Sequence, residues 1–380
     1  MPKDANTLVT AWNPDKQAAY EFIKKLSIQA VTNQVGKCKN FEDLYNFTAG
    51  LRKKIAELLN QPDKNDLGRL RVPKSTSDTM KTIIDNSGRY ASFYNDILIL
   101  FKQIEEKYKL EKGANSVLHY GISDIKKINS VGYHIVEYNG ITYSTLNLIH
   151  AQDKNNADVT YLRIDHTNDR DLPKIFAVVD TIYNRLSENI SDSEKSELIK
   201  EIAWHLAQGM PCFRGSAAIC EILYEALLNI NNLINISSSE PNDIPLDLKA
   251  IFTASPVEFS RLVSIQSKQY QGTFSKLKQA LTDFSQIQTG KEEPSFTFFL
   301  PQGQASKIIP TELETNAAKK ILALLEGNLD ITFTSEEKEL LEKGALAQLL
   351  DSYKDEDGFN KEHLYFFTAE QELTQKNIPS

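Results

Sequence analysis

Between Tyr133 and Leu146 the apolar pattern changes its period, and this change constrains the fold more than any other feature of the 380-residue chain. Tyr133-His-Ile-Val-Glu-Tyr138 and Ile141-Thr-Tyr-Ser-Thr-Leu146 read as strands on either side of Asn139-Gly140. That dipeptide suits a two-residue hairpin turn because both of its residues tolerate the left-handed backbone. Elsewhere the period is helical: Ala19, Phe22, Ile23, Leu26 and Ile28 recur at three- and four-residue steps, as do Leu44, Phe47, Leu51, Ile55 and Leu58. Val117–Tyr120 and Val159–Ile164 add strands, giving an antiparallel meander of three or four that needs helices over one face. The expected fold class is α+β, mainly α: a helical bundle with a small antiparallel β meander.

Punctuation residues set the remaining elements. Asn60–Asp66 is turn-rich, and Ser75-Thr-Ser77 after Pro73 starts a helix predicted to run toward Lys112, where Gly113 breaks the pattern. Pro173–Leu186 is helical, and Ser191-Asp-Ser-Glu194 has the form of a capping box opening a helix to Gly209. Another helix runs from Gly215 or Ser216 through Leu228. A polar connection over 230–241 leads to a long helix over Pro256–Ile287, with Gly272 as its candidate break. Phe296–Leu300 reads as an isolated strand, Glu312–Leu325 and Glu336–Leu350 as helices, and the chain from Asp351 as an acidic, weakly patterned tail. Four regions follow: a helical 1–112, the meander over 113–170, a helical core over 171–235, and a helical 236–380 with the tail.

Several function classes are disfavoured. No apolar run approaches the roughly 18 residues that span a bilayer, and the polar Met-Pro-Lys-Asp-Ala-Asn start lacks the apolar stretch of a Sec signal peptide. Cys38, Cys212 and Cys220 are odd in number and show no CxxC spacing, so neither a disulfide framework nor a zinc site is expected. His119, His134, His150 and His166 lack ligand spacing, and no metal site is assigned. A net charge of -8 gives no footprint for general nucleic-acid binding; Gly68-Arg-Leu-Arg-Val-Pro-Lys74 is the one dense basic strip.

The segment His205–Glu221, built around Pro211-Cys-Phe-Arg-Gly-Ser-Ala217, is the best candidate site. One helix ends at Gly209 and Pro211 and the next begins at Gly215 or Ser216. The corner therefore presents free backbone N–H groups beside Arg214, with Ser216 as the expected N-cap, an arrangement suited to an anion or a phosphate. His205 and Glu221 each lie about one and a half turns from the loop and could face the same pocket. A second reading stands beside this one: Gly, Pro and Ser simply make the corner that an apolar helix pair needs, with His205 in the core next to Trp204. Cys212 is an alternative nucleophile, because a helix N-terminus and Arg214 would lower its pKa; His134 and Asp165 would then be base and orienting acid, in the reverse of the usual chain order.

The Pro-x-x-Arg-Gly-Ser-Ala corner between two helices resembles sequences of bacterial secreted effectors and toxins. Pro211-Cys-Phe213 and Arg214-Gly215 are also similar to the Fic family motif, and Gly68-Arg-Leu-Arg71 to the Gly-x-x-Arg element preceding it. In that family a helix-loop-helix binds ATP phosphates and activates a target hydroxyl for AMP transfer. This chain departs from the pattern: Met210 stands where the family has its catalytic histidine, the loop is shorter, and the distal arginine has no counterpart. Asp351–Ser380, with its Glu-rich blocks, resembles type IV secretion substrates of the Dot/Icm kind. Ser75-Thr-Ser77 with Glu370-Gln-Glu372 superficially resembles ADP-ribosyltransferase elements, but in the wrong order relative to Arg163.

The resemblances imply an effector made in the bacterial cytoplasm and delivered into the host cytoplasm. It would transfer an AMP-like group to a host-protein hydroxyl. Arg214, Gly215 and Ser216 would hold phosphate, His205 would act as base, and Glu221 would steer the histidine or bind the divalent metal of a nucleotide such as ATP. The choice between ATP and NAD stays open. The competing expectation is a non-catalytic helical effector that binds a host protein, and a third is acyl transfer or deamidation through Cys212.

Overall fold

The computed structural model describes residues 14–72, 81–86, 93–108, 117–120, 123–131, 135–153, 160–236, 244–268, 272–286, 296–299, 305–308, 310–354 and 356–368. In chain order the helices are α1 (Pro14–Gln34), α2 (Phe41–Leu58), α3 (Tyr94–Tyr108), α4 (Leu172–Arg185), α5 (Asp192–Gly209), α6 (Ser216–Ile230), α7 (Leu246–Ile251), α8 (Pro256–Arg261), α9 (Ser275–Ser285), α10 (Glu312–Leu325), α11 (Ser335–Glu342) and α12 (Ala345–Ser352). The strands are β1 (Lys81–Asp85), β2 (Val117–Tyr120), β3 (Ser123–Val131), β4 (Ile135–Tyr138), β5 (Ile141–Ser144), β6 (Asn147–Asp153), β7 (Thr160–Asp165), β8 (Leu233–Asn235), β9 (Ile265–Ser267), β10 (Phe296–Phe299) and β11 (Ala305–Ile308). The fold is mainly helical α+β with small antiparallel sheets. No helix among the described residues is long and apolar enough to cross a membrane.

The described chain groups into two units, one within Gln34–Lys53 and Asp63–Tyr270, the other within Trp12–Asn33, Lys54–Pro62 and Gln271–Ser380. In the first, an antiparallel sheet of order β1-β7-β6-β3-β2 has α3 packed against it. Ile97, Phe101 and Ile104 supply the buried stripe of α3, and the Phe101 ring meets His150 of β6 edge-on. The expected hairpin is present, with Asn139 and Gly140 at φ 48° and 78°. It forms a two-stranded sheet of its own, and β5 packs on α4. Helix α5 is the centre of this unit. It opens with the expected capping box of Ser191 and Glu194, every residue from Ile202 to Gly209 is buried, and α4, α6, α7 and α8 all pack on it. Polar anchors hold it in register: Trp204 Nε1 donates to Thr253 O (3.3 Å) and Gln208 Nε2 to Ala250 O (2.9 Å).

Four expectations are corrected. Residues 81–85 are a strand inside the helix predicted from Ser75 to Lys112, because Lys81-Thr-Ile-Ile-Asp85 pairs with β7 along its whole length and buries Ile84 completely; Ser75–Ser77 lie outside the described residues. The long helix over Pro256–Ile287 is instead α8, β9 and α9, since Ile265–Ser267 finds a ladder partner in β8, within the stretch read as a polar connection. The helix over Glu336–Leu350 is cut at Gly344, whose φ of 101° begins α12. Phe296–Phe299 is paired with β11 and not isolated.

The second unit also corrects the reading of the tail. Glu356–Gly358 and Lys361–Phe367 form 3₁₀ turns, with Phe359, Leu364 and Phe367 buried and Phe22, Phe274 and Phe359 stacked edge-on or tilted. Helix α9 lacks a cap of its own, and Glu356 accepts from Lys276 N and Leu277 N at 2.9 Å each. Glu314 serves two helices at once. One oxygen closes the capping box at Thr311, and the other accepts from Ala345 N (2.7 Å) and Leu346 N (3.2 Å) at the start of α12. The carboxylate fits because residue 344 is glycine: a Cβ there would stand 2.6 Å from Glu314 Oε1. Replacing Glu314 by alanine removes charge-assisted bonds to both helix starts and is expected to cost about 3 kcal/mol in urea unfolding.

Candidate functional site

Helix α5 stops where Met210 turns left-handed (φ 43°), as Gly209 lets α4 approach closely: a Cβ at Gly209 would stand 3.0 Å from Ile175 Cδ1. Beyond it, 211–214 is not a bare loop. The basic strip lies alongside it, with Arg71 N donating to Pro211 O (2.8 Å), Phe213 N to Arg69 O (2.9 Å) and Gly68 N to Arg214 O (3.0 Å). Gly68 (φ 74°) is needed for this approach, because a Cβ would fall 2.2 Å from Ala49 O. Arg71 does not stay on the surface. Its guanidinium is buried and donates from all three nitrogens: Nε to Asp169 (2.8 Å), Nη1 to Gly209 O (2.8 Å) and Met210 O (3.0 Å), and Nη2 to Thr167 O, with Nη2 also ion-paired to Asp169.

Gly215 (φ 86°), and not Ser216, is the N-cap of α6, and no side chain caps that helix. Ser216 is 2% exposed; its hydroxyl donates to Cys212 O (3.1 Å) and accepts from Cys212 N (2.9 Å), so it closes the corner from inside. Arg214 is half-exposed and pairs with Asp63 at 2.9 Å. Gly215 also makes room for Arg52, whose Cγ would be 3.1 Å from a Cβ at that position. Cys212 is buried with its Sγ 3.6 Å from Tyr45 Oη. Burial pushes its thiol up to about 11, the reverse of the expected lowering, with Tyr45, Arg71 and Ser216 opposing the shift only in part.

His205 is 1% exposed and faces the β4–β5 hairpin. Its Nδ1 lies 2.6 Å from Tyr143 Oη, and its Nε2 lies 3.8 Å from Glu201 on the same helix. Rings of Tyr138, Tyr143 and Trp204 meet it edge-on. Burial lowers the imidazole pKa, Glu201 opposing, while burial and then Glu201 raise the Tyr143 phenol. The phenol is therefore the donor to a neutral ring, and the ring N–H is left to face Glu201. His205, Ser216 and Arg214 thus have three distinct sets of neighbours, and Glu221 is half-buried on α6. Of the alternative cysteine constellation, Asp165 is held by Arg163 through two bonds (2.6 and 2.9 Å), and His134 lies outside the described residues, as do Ser75–Ser77 and Glu370–Glu372. Among the described residues no group of three or more His, Cys, Asp and Glu could hold a metal ion.

Reading the sequence missed Asp169, Tyr143 and Glu201, and it did not foresee that Arg71 of the Gly-x-x-Arg element is buried. An arginine in a basic strip signals a surface, and nothing local announces that Asp169 waits for it. Tyr143 carried the alternation of a strand but no sign of its hydrogen-bond partner 62 residues away.

Over residues 140–233 the chain matches the model of the AvrB_AvrC avirulence protein family. The span is about a quarter of the chain and runs from the hairpin turn through β5–β7 and α4–α6 to β8, so it includes Tyr143, His205 and the corner. No curated protein matches the chain.

Removing one side of the buried Arg71–Asp169 pair strands the other, so Arg71→Ala is expected to lower unfolding stability by about 3–5 kcal/mol, read from its urea transition. Acid acts through the buried histidines. His166, fully buried with its Nε2 2.8 Å from Thr82 Oγ1, is pushed down to about 3 by burial and by Arg71. The unfolded chain takes up that proton near pH 6.5 and the folded chain does not. Stability is therefore retained above pH 6.5 and falls by roughly 1.4 kcal/mol per unit for this group down to about pH 3. Urea midpoints from pH 7 to 4 should drop accordingly, and His166→Gln should flatten that slope.

Proposed function

We propose that the chain is a bacterial effector that acts on a host protein, and that its α5–α6 corner binds the phosphates of a nucleotide-derived donor. The match over 140–233 to an avirulence protein family supports the effector part. For the donor, the carrying observation is the start of α6. Gly215 caps it without any side-chain acceptor, so the backbone N–H groups of the first turn and the positive end of a 15-residue helix lie beside the half-exposed Arg214. A phosphate would supply the acceptor that the helix start lacks.

With ATP as donor, a host hydroxyl oxygen would bond to the α-phosphorus, the bond to the bridging oxygen would break, pyrophosphate would leave, and the hydroxyl proton would pass to a base. Neutral His205 can take a proton, and Glu201 would stabilise the imidazolium. This role requires Tyr143 to yield Nδ1 to the target, which assigns the β4–β5 hairpin a movement during turnover. Glu221 stays the candidate for steering or metal contact, and Ser216 acts by holding the corner. A second reading is a non-catalytic effector, favoured by the internal bonds that occupy both His205 and Ser216.

One experiment separates these readings: transfer of label from ATP labelled at its α-phosphate, and from adenine-labelled NAD, to proteins of a eukaryotic lysate. Label that falls at least tenfold in Arg214→Ala is the expected result and names the donor. Absence of label from both donors, with an unchanged unfolding curve, would sink the transferase and leave the binding module.

A further inference from the structure

Four arginines of the first unit, Arg69, Arg71, Arg163 and Arg214, fall into two kinds. Arg71 and Arg163 are buried, and their guanidinium groups are committed to Asp169 and Asp165. Arg69 and Arg214 are about half-exposed, and among the described residues each pairs with one exposed carboxylate: Asp66 at 2.7 Å and Asp63 at 2.9 Å. Both carboxylates come from a single tight turn, in which Asp66 N donates to Asp63 O (2.8 Å) and Asp63 is left-handed (φ 58°). The two arginines are held as well. Backbone pairing sets Arg69 beside Phe213, whose ring lies 4.3 Å from its guanidinium carbon, and ties Arg214 to Gly68.

We infer that Arg69 and Arg214 form a two-guanidinium seat for a diphosphate group, and that Asp63 and Asp66 are built-in counterions which that ligand displaces. The inference rests on the phosphate reading above and adds to it a second arginine and an internal competitor. Chemistry favours the exchange. Ion pairs this exposed are screened and worth little, whereas a diphosphate carries several charges and can accept paired N–H groups from both forks. The Phe213 ring already fixes the head of Arg69, so less freedom is lost on binding. A single carboxylate per arginine keeps the seat from being filled by weaker anions, and the acidic turn makes occupancy depend on ligand charge.

The test uses the full-length chain and inorganic pyrophosphate, with affinity measured by calorimetry at low ionic strength. Variants are Asp63→Asn with Asp66→Asn, Arg69→Ala and Arg214→Ala. Asparagine tolerates the left-handed backbone at 63, so the double variant keeps the turn, and thermal melts verify folding. Binding is expected to tighten about fivefold in the double variant and to weaken about tenfold in each arginine variant. Wild-type binding that is lost in Arg214→Ala but unchanged in Arg69→Ala would overturn the seat and leave the phosphate reading standing. Unchanged affinity in the double variant would overturn the counterion role. No binding by wild type or by any variant would overturn the phosphate reading and the seat together.

Discussion

The buried guanidinium of Arg71 is the constraint on which the corner depends. A helix C-terminus leaves carbonyls without partners, and here Gly209 O and Met210 O end α5 at two buried residues. Arg71 answers both, adds Thr167 O, and balances its charge on Asp169. Its position follows from the chain beside it. Because Arg71 N and Gly68 N donate to the corner, the strip 67–71 and the loop 211–214 hold each other in one register. Three stretches distant in sequence, at 67–71, 167–169 and 209–214, become one piece through that side chain.

This arrangement sorts the polar residues around the corner by the work they do. Ser216 and Cys212 are turned inward, and His205 is kept neutral between Tyr143 and Glu201. At the rim, Arg69 and Arg214 meet the 63–66 turn in exposed ion pairs. The hairpin carrying Tyr138 and Tyr143 stands over the histidine, and the acidic turn stands over the arginines.

The span that matches the avirulence family covers the second strand of the hairpin, β6, β7 and α4–α6 but stops short of the strip 67–71 and of Arg52. Those residues complete the corner from outside the matched segment. The second unit is stabilised by similar means, with single carboxylates serving helix starts: Glu314 at α10 and α12, Glu356 at α9. In both units a few charged side chains close the ends of several elements at once.

What the sequence determined by itself was local. Periodicity located α1 and α2, periodicity and capping placed α4, α5, α6 and α10 within a few residues, and Asn139-Gly140 placed the hairpin, because backbone preference and apolar spacing act over neighbours along the chain. The mainly helical α+β class followed from those elements. Tertiary structure decided the rest. Lys81–Asp85 and Ile265–Ser267 became strands because ladder partners far along the chain were available, and a helical pattern could not reveal them. The corner was legible as Gly, Pro and Ser between two helices. Its inward and outward faces were not, since burial of Arg71, Ser216 and His205 depends on what packs against them, and that is fixed only when distant segments meet.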